Sequence, residues 1–426
     1  MHCLRIAAAV AAVLLLAPPA GAADLPDPWV EFTAAGAEAR AIVAPGMACP
    51  AVTADGATLP MDSREPPDES YPVQLCALRL PEGVHRAAVG GLPVAVPRAR
   101  LRRIVLLGDT GCRLKGESVQ DCNDPAAWPF AAVARRAALR RPDLVIHVGD
   151  YHYRESPCPP GRAGCAGSPW GDTWEVWKRD FFIPAAPLLA GAPWVVVRGN
   201  HELCGRGGLG WFRLLNPARP AAGCPALTEA YAVHLPGLDL LVLDSAGADD
   251  ATAPPDKVAA LRAQAQALFA QTGLAPAGPH AWLLTHRPVW ALAQGNGIPP
   301  GAQTNATLRE ALRDIMPAGL DMVVSGHVHV FAAYDFGPDR PAQLLVGNGG
   351  DSVDAVVQPA GPGTTIDGLA VQAVLQDGRY GYLVLDRTPT GWRGTLRGAD
   401  DAALAHCWLA GRSLSCRSDG STPAGK

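Results

Sequence analysis

Six apolar runs of strand length lie at residues 104–107, 144–148, 194–197, 240–243, 282–284 and 322–324, and five of them end on side chains that bind metals. The endings are Gly108-Asp109-Thr110-Gly111, Gly149-Asp150-Tyr151-His152-Tyr153, Gly199-Asn200-His201-Glu202, Thr285-His286 and Gly326-His327-Val328-His329. Unbroken apolar runs belong to strands buried on both faces, as in the largely parallel sheets of α/β proteins. In such sheets ligands gather in the crevice outside the carboxyl ends of the strands, so donors spread from residue 109 to residue 329 can converge there. Glycine before Asp109, Asp150, Asn200 and His327 lets the backbone turn sharply as each strand ends.

Helical signals fall between the runs. Asp124-Pro125 predicts a cap with proline at the first helical position, and Thr307 with Glu310 reads as a capping box ahead of Leu308, Leu312 and Ile315. Val258, Leu261, Ala265 and Leu268 recur on one helical face. Strands alternating with helices place the central region in the α/β class.

The flanks read differently. Arg5, the apolar run 6–16 and Ala20-Gly21-Ala22 predict a signal peptide over 1–22, hence a secreted or periplasmic product. No later apolar stretch reaches the roughly 18 residues of a membrane span, so none is expected after cleavage. Residues 23–100 carry short β-prone pieces broken by Gly and Pro, which predicts a small N-terminal β domain ending at the basic link Pro97-Arg98-Ala99-Arg100. The catalytic domain is expected over 101–397 and a disulfide-bearing tail over 398–426, because about 400 residues exceed what one core usually serves.

Removing Cys3 with the signal leaves ten of the eleven cysteines, an even number that suits an oxidising compartment. Sequence cannot decide connectivity; successive local couples predict Cys49 with Cys76, Cys112 with Cys122, Cys158 with Cys165, Cys204 with Cys224, and Cys407 with Cys416. With 36 basic and 40 acidic residues, a net charge of -4 and no basic run, nucleic acid is not indicated as a partner. Gly/Pro-rich connections at 155–171, 204–227, 291–303 and 347–368 are expected to be functional loops.

Taken in order, the five strand endings resemble the calcineurin-like metallophosphoesterases and, within them, the purple acid phosphatases, whose pattern is GDxG, GDxxY, GNH followed by an acid, xxxH and GHxH. The resemblance covers about 102–329. It implies a sandwich of two mixed sheets flanked by helices, preceded here by the small β domain. It also implies one metal held by Asp109, Asp150, Tyr153 and His329, and another held by Asp150, Asn200, His286 and His327, with Asp150 bridging. Two carboxylates and a phenolate suit Fe(III), whereas the shared carboxylate with amide and imidazole donors suits a divalent ion, Fe, Zn or Mn. Most of the wider superfamily has a histidine ligand where this chain has Gly111, and Tyr153 would replace that donor and colour the protein.

The implied chemistry is hydrolysis of phosphate monoesters by a metal-bound hydroxide between cations roughly 3.5 to 4 Å apart, with no covalent phosphoenzyme and a small phosphorylated substrate. His201 is expected to protonate the leaving alkoxide or to bind a phosphate oxygen, with Glu202 orienting its ring. A phosphodiesterase with the same centre, and a catalytically lapsed phosphate- or metal-binding protein, are the alternatives.

Other residues carry weaker signals. His147 reads as structural and Asp244-Ser245 as a turn. His152 is open between substrate contact and support, and Arg287 between a phosphate contact and part of a rigid loop. Trp174 and Trp177 have the spacing of a buried helical pair, whereas Trp211 and Trp290 are candidates for the mouth of the site.

Overall fold

A computed structural model describes residues 25–218, 223–272, 274, 280–295, 298–357 and 361–420. The signal peptide expected over 1–22 and the end of the tail lie outside these residues. Two mixed sheets pack face to face. In the eleven-stranded sheet, Arg103–Leu107, Leu144–His147 and Trp194–Val196 run parallel at the centre. In the seven-stranded sheet the parallel set is Leu238–Val242, Ala281–Leu284, Leu320–Ser325 and Ala342–Val346.

Burial explains why the runs lack alternation. Ile104, Leu106 and Ile146 of the first sheet meet Leu240, Trp282 and Val324 of the second in the core between them. The opposite faces are covered as well: Val105, Val145 and Trp194 pack under the helices Phe130–Leu139 and Ile183–Leu189. Leu241, Leu283 and Val323 pack under Pro255–Thr272 and Ala306–Leu312. Each central residue is apolar because both sides of its strand exclude water.

The predicted helical face is present, with Leu261, Ala265 and Leu268 buried on Pro255–Thr272. Two predicted starts move. Asp124 closes a turn by accepting the Ala126 N–H at 2.8 Å, and the helix begins only at Phe130. The cap of Ala306–Leu312 is Asn305, whose Oδ1 accepts the Leu308 N–H at 2.9 Å. Thr307 is drawn away to the neighbouring loop, where its hydroxyl accepts from the Asp249 N–H and donates to the Thr252 carbonyl. Tertiary partners outcompete the local capping pattern in both cases.

The five expected cysteine couples are the five disulfides. Of the segment expected over 23–100, strands among the described residues join the main sheet: Trp29–Thr33 pairs in parallel with Trp194–Val196, and Gly36–Val43, Gln74–Arg79 and Asp62–Ser63 continue outward. A separate four-stranded sheet holds the remainder, Ala51–Ala54, Ala57–Pro60, Ala87–Val89 and Leu92–Val94. At the other edge, Ala403–Ala410 and Ser413–Ser418 extend the same main sheet. Period-two patterning marks these pieces as strands but carries no information about which strand each one pairs with.

Arg40 fastens the N-terminal strands to the core. Its guanidinium, fully buried, donates to Glu31 Oε2 at 2.8 Å, to Glu38 Oε1 at 2.8 Å, and to the carbonyls of Leu214 and Asn216 at 3.2 and 3.1 Å. Arg40→Ala would leave Glu31 buried without its counter-charge, so we expect a loss of about 3–5 kcal/mol in urea unfolding. A variant as stable as the parent would show that these strands are dispensable to the sheet.

Candidate metal centre

The parallel strands of both sheets deliver their carboxyl ends to one edge, and the seven predicted donors meet there. Asp109, Asp150 and His327 each leave their strand in the left-handed conformation, at φ +55°, +61° and +69°. Non-glycine residues rarely adopt it, and such strain persists where the surroundings overdetermine the geometry. Gly149 completes the turn before Asp150 at φ +104°, where a Cβ would lie 2.6 Å from His286 Nδ1.

Backbone amides aim the carboxylates. Asp150 Oδ1 accepts the His201 N–H at 2.8 Å, leaving Oδ2 toward Tyr153 Oη at 2.8 Å and His286 Nε2 at 3.2 Å. Asp109 accepts the His327 N–H at 3.0 Å. Two donor groups result, each with its ligand atoms within 4.8 Å of one another: Asp109, Asp150 and His329; and Asp150, His286 and His327. Tyr153 Oη joins the first, 3.3 Å from Asp109 Oδ1 and 3.0 Å from His329 Nε2. Asn200 Oδ1 joins the second, 2.9 Å from His286 Nε2.

Imidazole tautomers follow from the outer contacts. His286 Nδ1 donates to the Val148 carbonyl at 2.8 Å and His329 Nδ1 to the Ser352 carbonyl at 2.9 Å, which leaves Nε2 of each as the lone-pair donor. His327 is reversed in position: its Nε2 lies 2.9 Å from both Asp250 Oδ2 and Arg287 Nη1, and its Nδ1 is left for the centre.

This set fits cations. Burial, reinforced by Asp150 and Asp109, holds the Tyr153 phenol well above its ordinary value of 10. Burial also lifts Asp109 to about 6, against the opposing pull of His329 and His286. Burial acts the same way on Asp150, but His286 and His201 outweigh it and hold that carboxyl well below the usual range. Two carboxylates and a phenol packed in a dry site repel once ionised, and a bound cation relieves that repulsion. Gly111 belongs to the same arrangement: a Cβ there would lie 2.9 Å from Tyr153 Cδ2 and 2.7 Å from the Tyr151 carbonyl oxygen. A side chain at 111 and the tyrosine ring exclude each other.

His201 lies against Tyr153 with ring centroids 3.7 Å apart and planes tilted by 38°, and its Nδ1 lies 2.7 Å from Glu155 Oε1. Burial, outweighing Asp150 and Glu155, draws its pKa down to about 3, so the ring is neutral at ordinary pH. Glu202 does not orient that ring as expected. Its carboxylate accepts the N–H groups of Gly199, Asp150, Tyr151 and His152 at 2.9, 3.0, 2.8 and 3.1 Å, tying two ligand loops together. Glu155 and its ion-pair partner Arg206 hold the ring instead.

Sequence reasoning missed these two residues, and also Arg113, Asp180, Asp250 and Asp351. Asp180 accepts the Tyr153 N–H at 2.8 Å, Arg113 pairs with Asp351, and Asp250 pairs with Arg287. One signal was available: Gly347-Asn348-Gly349-Gly350-Asp351 follows the strand Ala342–Val346 and repeats the glycine-then-acid ending. The others sit on loops without a pattern.

His152 is a support, its Nε2 donating to the Gly171 carbonyl at 2.9 Å, and His147 bonds the Thr110 hydroxyl at 2.9 Å. Ser245 Oγ accepts the N–H groups of His286 and Arg287 at 3.0 and 2.9 Å, so the Asp244-Ser245 turn positions a candidate ligand. Trp174, Trp177, Trp211 and Trp290 are all buried, which removes the latter two from the mouth. A cleft of about 530 Å³ opens over the donors, and Arg113, Lys115, Arg206 and Arg287 stand in its wall.

The sequence profile of the calcineurin-like phosphoesterase family matches residues 102–331. Among solved structures, the chain is similar to the purple acid phosphatase PPD1 from yellow lupin (Lupinus luteus) seeds, with a TM-score of 0.54 and 15% identity over 92% of this chain and 74% of that one. It is similar to PhoD as well, with a TM-score of 0.54 and 14% identity over 94% of this chain and 92% of that one. No curated protein matches. At such identities the likeness is one of fold.

Glu202→Ala would strip four backbone N–H groups of their acceptor. We expect it to cost about 2–4 kcal/mol in thermal unfolding and to lower the metal retained on dialysis. Glu202→Gln, which keeps one acceptor oxygen, should lose less; equal metal retention in all three proteins would separate Glu202 from the site.

Proposed function

The chain belongs to the calcineurin-like phosphoesterase family, and from that premise we propose that it is a secreted or periplasmic phosphomonoesterase with a dinuclear centre of the purple acid phosphatase type. As a member of the family it is a hydrolase acting on phosphate esters. The observation that carries the finer reading is the pair of donor groups sharing Asp150, with Tyr153 in only one of them. Asp109, Asp150, Tyr153 and His329 would hold Fe(III), and Asp150, Asn200, His286 and His327 a divalent Fe, Zn or Mn. When bound, such a pair supplies Lewis-acid charge to phosphoryl oxygens and lowers the pKa of water.

The protein's own groups do the rest. Arg113, Arg206 and Arg287 present guanidinium groups to the cleft, each held by a carboxylate: Asp351, Glu155 and Asp250. With Lys115 they suit the double charge of a monoester better than the single charge of a diester. His201, with Glu155 beside Nδ1, turns Nε2 toward Asp150 Oδ2 at 3.8 Å, where it would contact a phosphate oxygen or the leaving oxygen. All ten cysteines beyond Cys3 are in disulfides, so none is a nucleophile. Five disulfides also favour an oxidising compartment, and among the described residues no helix is long and apolar enough to cross a membrane.

Purified protein should release phosphate from p-nitrophenyl phosphate faster than it cleaves the bis-ester. Asp150→Ala should reduce the rate at least about a thousandfold, because several kcal/mol of charge stabilisation is lost. Preference for the bis-ester would make it a phosphodiesterase, and phosphate binding without turnover a lapsed enzyme. Tyr153→Phe should keep the fold and lose visible absorption; a colourless, iron-containing parent would overturn the tyrosinate.

A further inference from the structure

A second cavity, of about 630 Å³, lies beside the metal cleft. Asp250 and Arg287, joined as an ion pair, line both spaces, so the two spaces adjoin at this pair. The cavity is also lined by Leu203, two residues beyond His201, and by Ala226, Leu227, Ala248, Ala260 and Leu261.

Apart from the Asp256 carboxylate at the start of the helix Pro255–Thr272, the polar groups of this wall have partners within the protein. Asp249 accepts the N–H groups of Ala251 and Thr252 at 2.9 and 2.8 Å, and Lys257 donates to the Gly247 carbonyl at 2.8 Å. Asp244 is taken by Arg198 and by Thr228, at 3.3 and 2.8 Å. The surface left to an incoming molecule is therefore mainly hydrocarbon, in contrast to the arginines of the adjoining cleft.

A phosphate ester has the matching polarity, an anionic head on an alcohol. We infer that the cavity is the subsite for the alcohol half of the substrate, and that the ester this protein takes carries an extended apolar alcohol. This rests on the phosphoesterase reading of the cleft. With the phosphoryl group among the guanidinium groups and the leaving oxygen at His201, the alcohol passes beside the Asp250–Arg287 pair and lies along Leu203, Leu227 and Ala260. The volume falls within the range of small-molecule pockets, roughly 300–1,000 Å³. Ala260 is exposed on the helix Pro255–Thr272, so a larger side chain there fills the cavity without breaking a core contact.

Binding of ethyl-, butyl- and hexylphosphonate to the metal-loaded protein, measured by calorimetry, tests the subsite without requiring turnover. Each buried methylene should tighten binding by about three- to fourfold, and Ala260→Trp should flatten the series while leaving ethylphosphonate within about twofold. Equal affinities along the series in the parent protein would overturn the subsite, as would an Ala260→Trp variant that weakens all three probes alike. Phosphate release from ethyl, butyl and hexyl phosphate is followed separately. Chain-length-dependent binding without any hydrolysis would sink the phosphoesterase reading and spare the subsite; hydrolysis with a flat series would do the reverse.

Discussion

The carboxylate of Asp150 is the constraint around which the centre is organised. One oxygen is held by the His201 N–H at 2.8 Å, so the other has a single direction, toward Tyr153 and His286 at once. Neither neighbour replaces it: the two donor groups have only this residue in common. A left-handed backbone at Asp150 is the local cost, and it is offset by Glu202, whose carboxylate collects N–H groups from both flanking loops.

That arrangement depends on the sandwich behind it. Burial on both faces keeps the central strands parallel and in register, so a side chain just beyond each strand is placed by the sheet rather than by its own loop. Outer contacts then choose the atom each imidazole presents: carbonyls from Val148 and Ser352 leave Nε2 of His286 and His329, while Asp250 and Arg287 together engage Nε2 of His327 and leave its Nδ1. The same Asp250, paired with Arg287, lines both the charged cleft and the hydrocarbon cavity, so the ion pair beside His327 stands where the two spaces meet.

The core of the site was legible because its donors follow apolar runs, and the runs betray their burial directly. Asp109, Asp150, Asn200, His286 and His327 end those runs and Tyr153 and His329 follow within three residues of two of them, but it was the resemblance to the family's motif order that singled these seven out from neighbours such as His152 and His201. What supports the donors was not legible. Glu155, Asp180 and Asp250 act through loops whose paths depend on packing, and Glu202 holds backbone amides that no spacing rule connects to it. The edges of the main sheet were hidden for a similar reason: Trp29–Thr33 reads as a strand, but its partner Trp194–Val196 is remote in sequence.

Counting metal tests the shared carboxylate most directly. Quantitative elemental analysis of natively purified protein should find two metal ions per chain, at least one of them iron. Asp150→Ala should lose both, whereas His329→Ala and His327→Ala should each lose one. Retention of one full equivalent by Asp150→Ala would contradict the account, because two sites that share that carboxylate cannot respond to its removal one at a time.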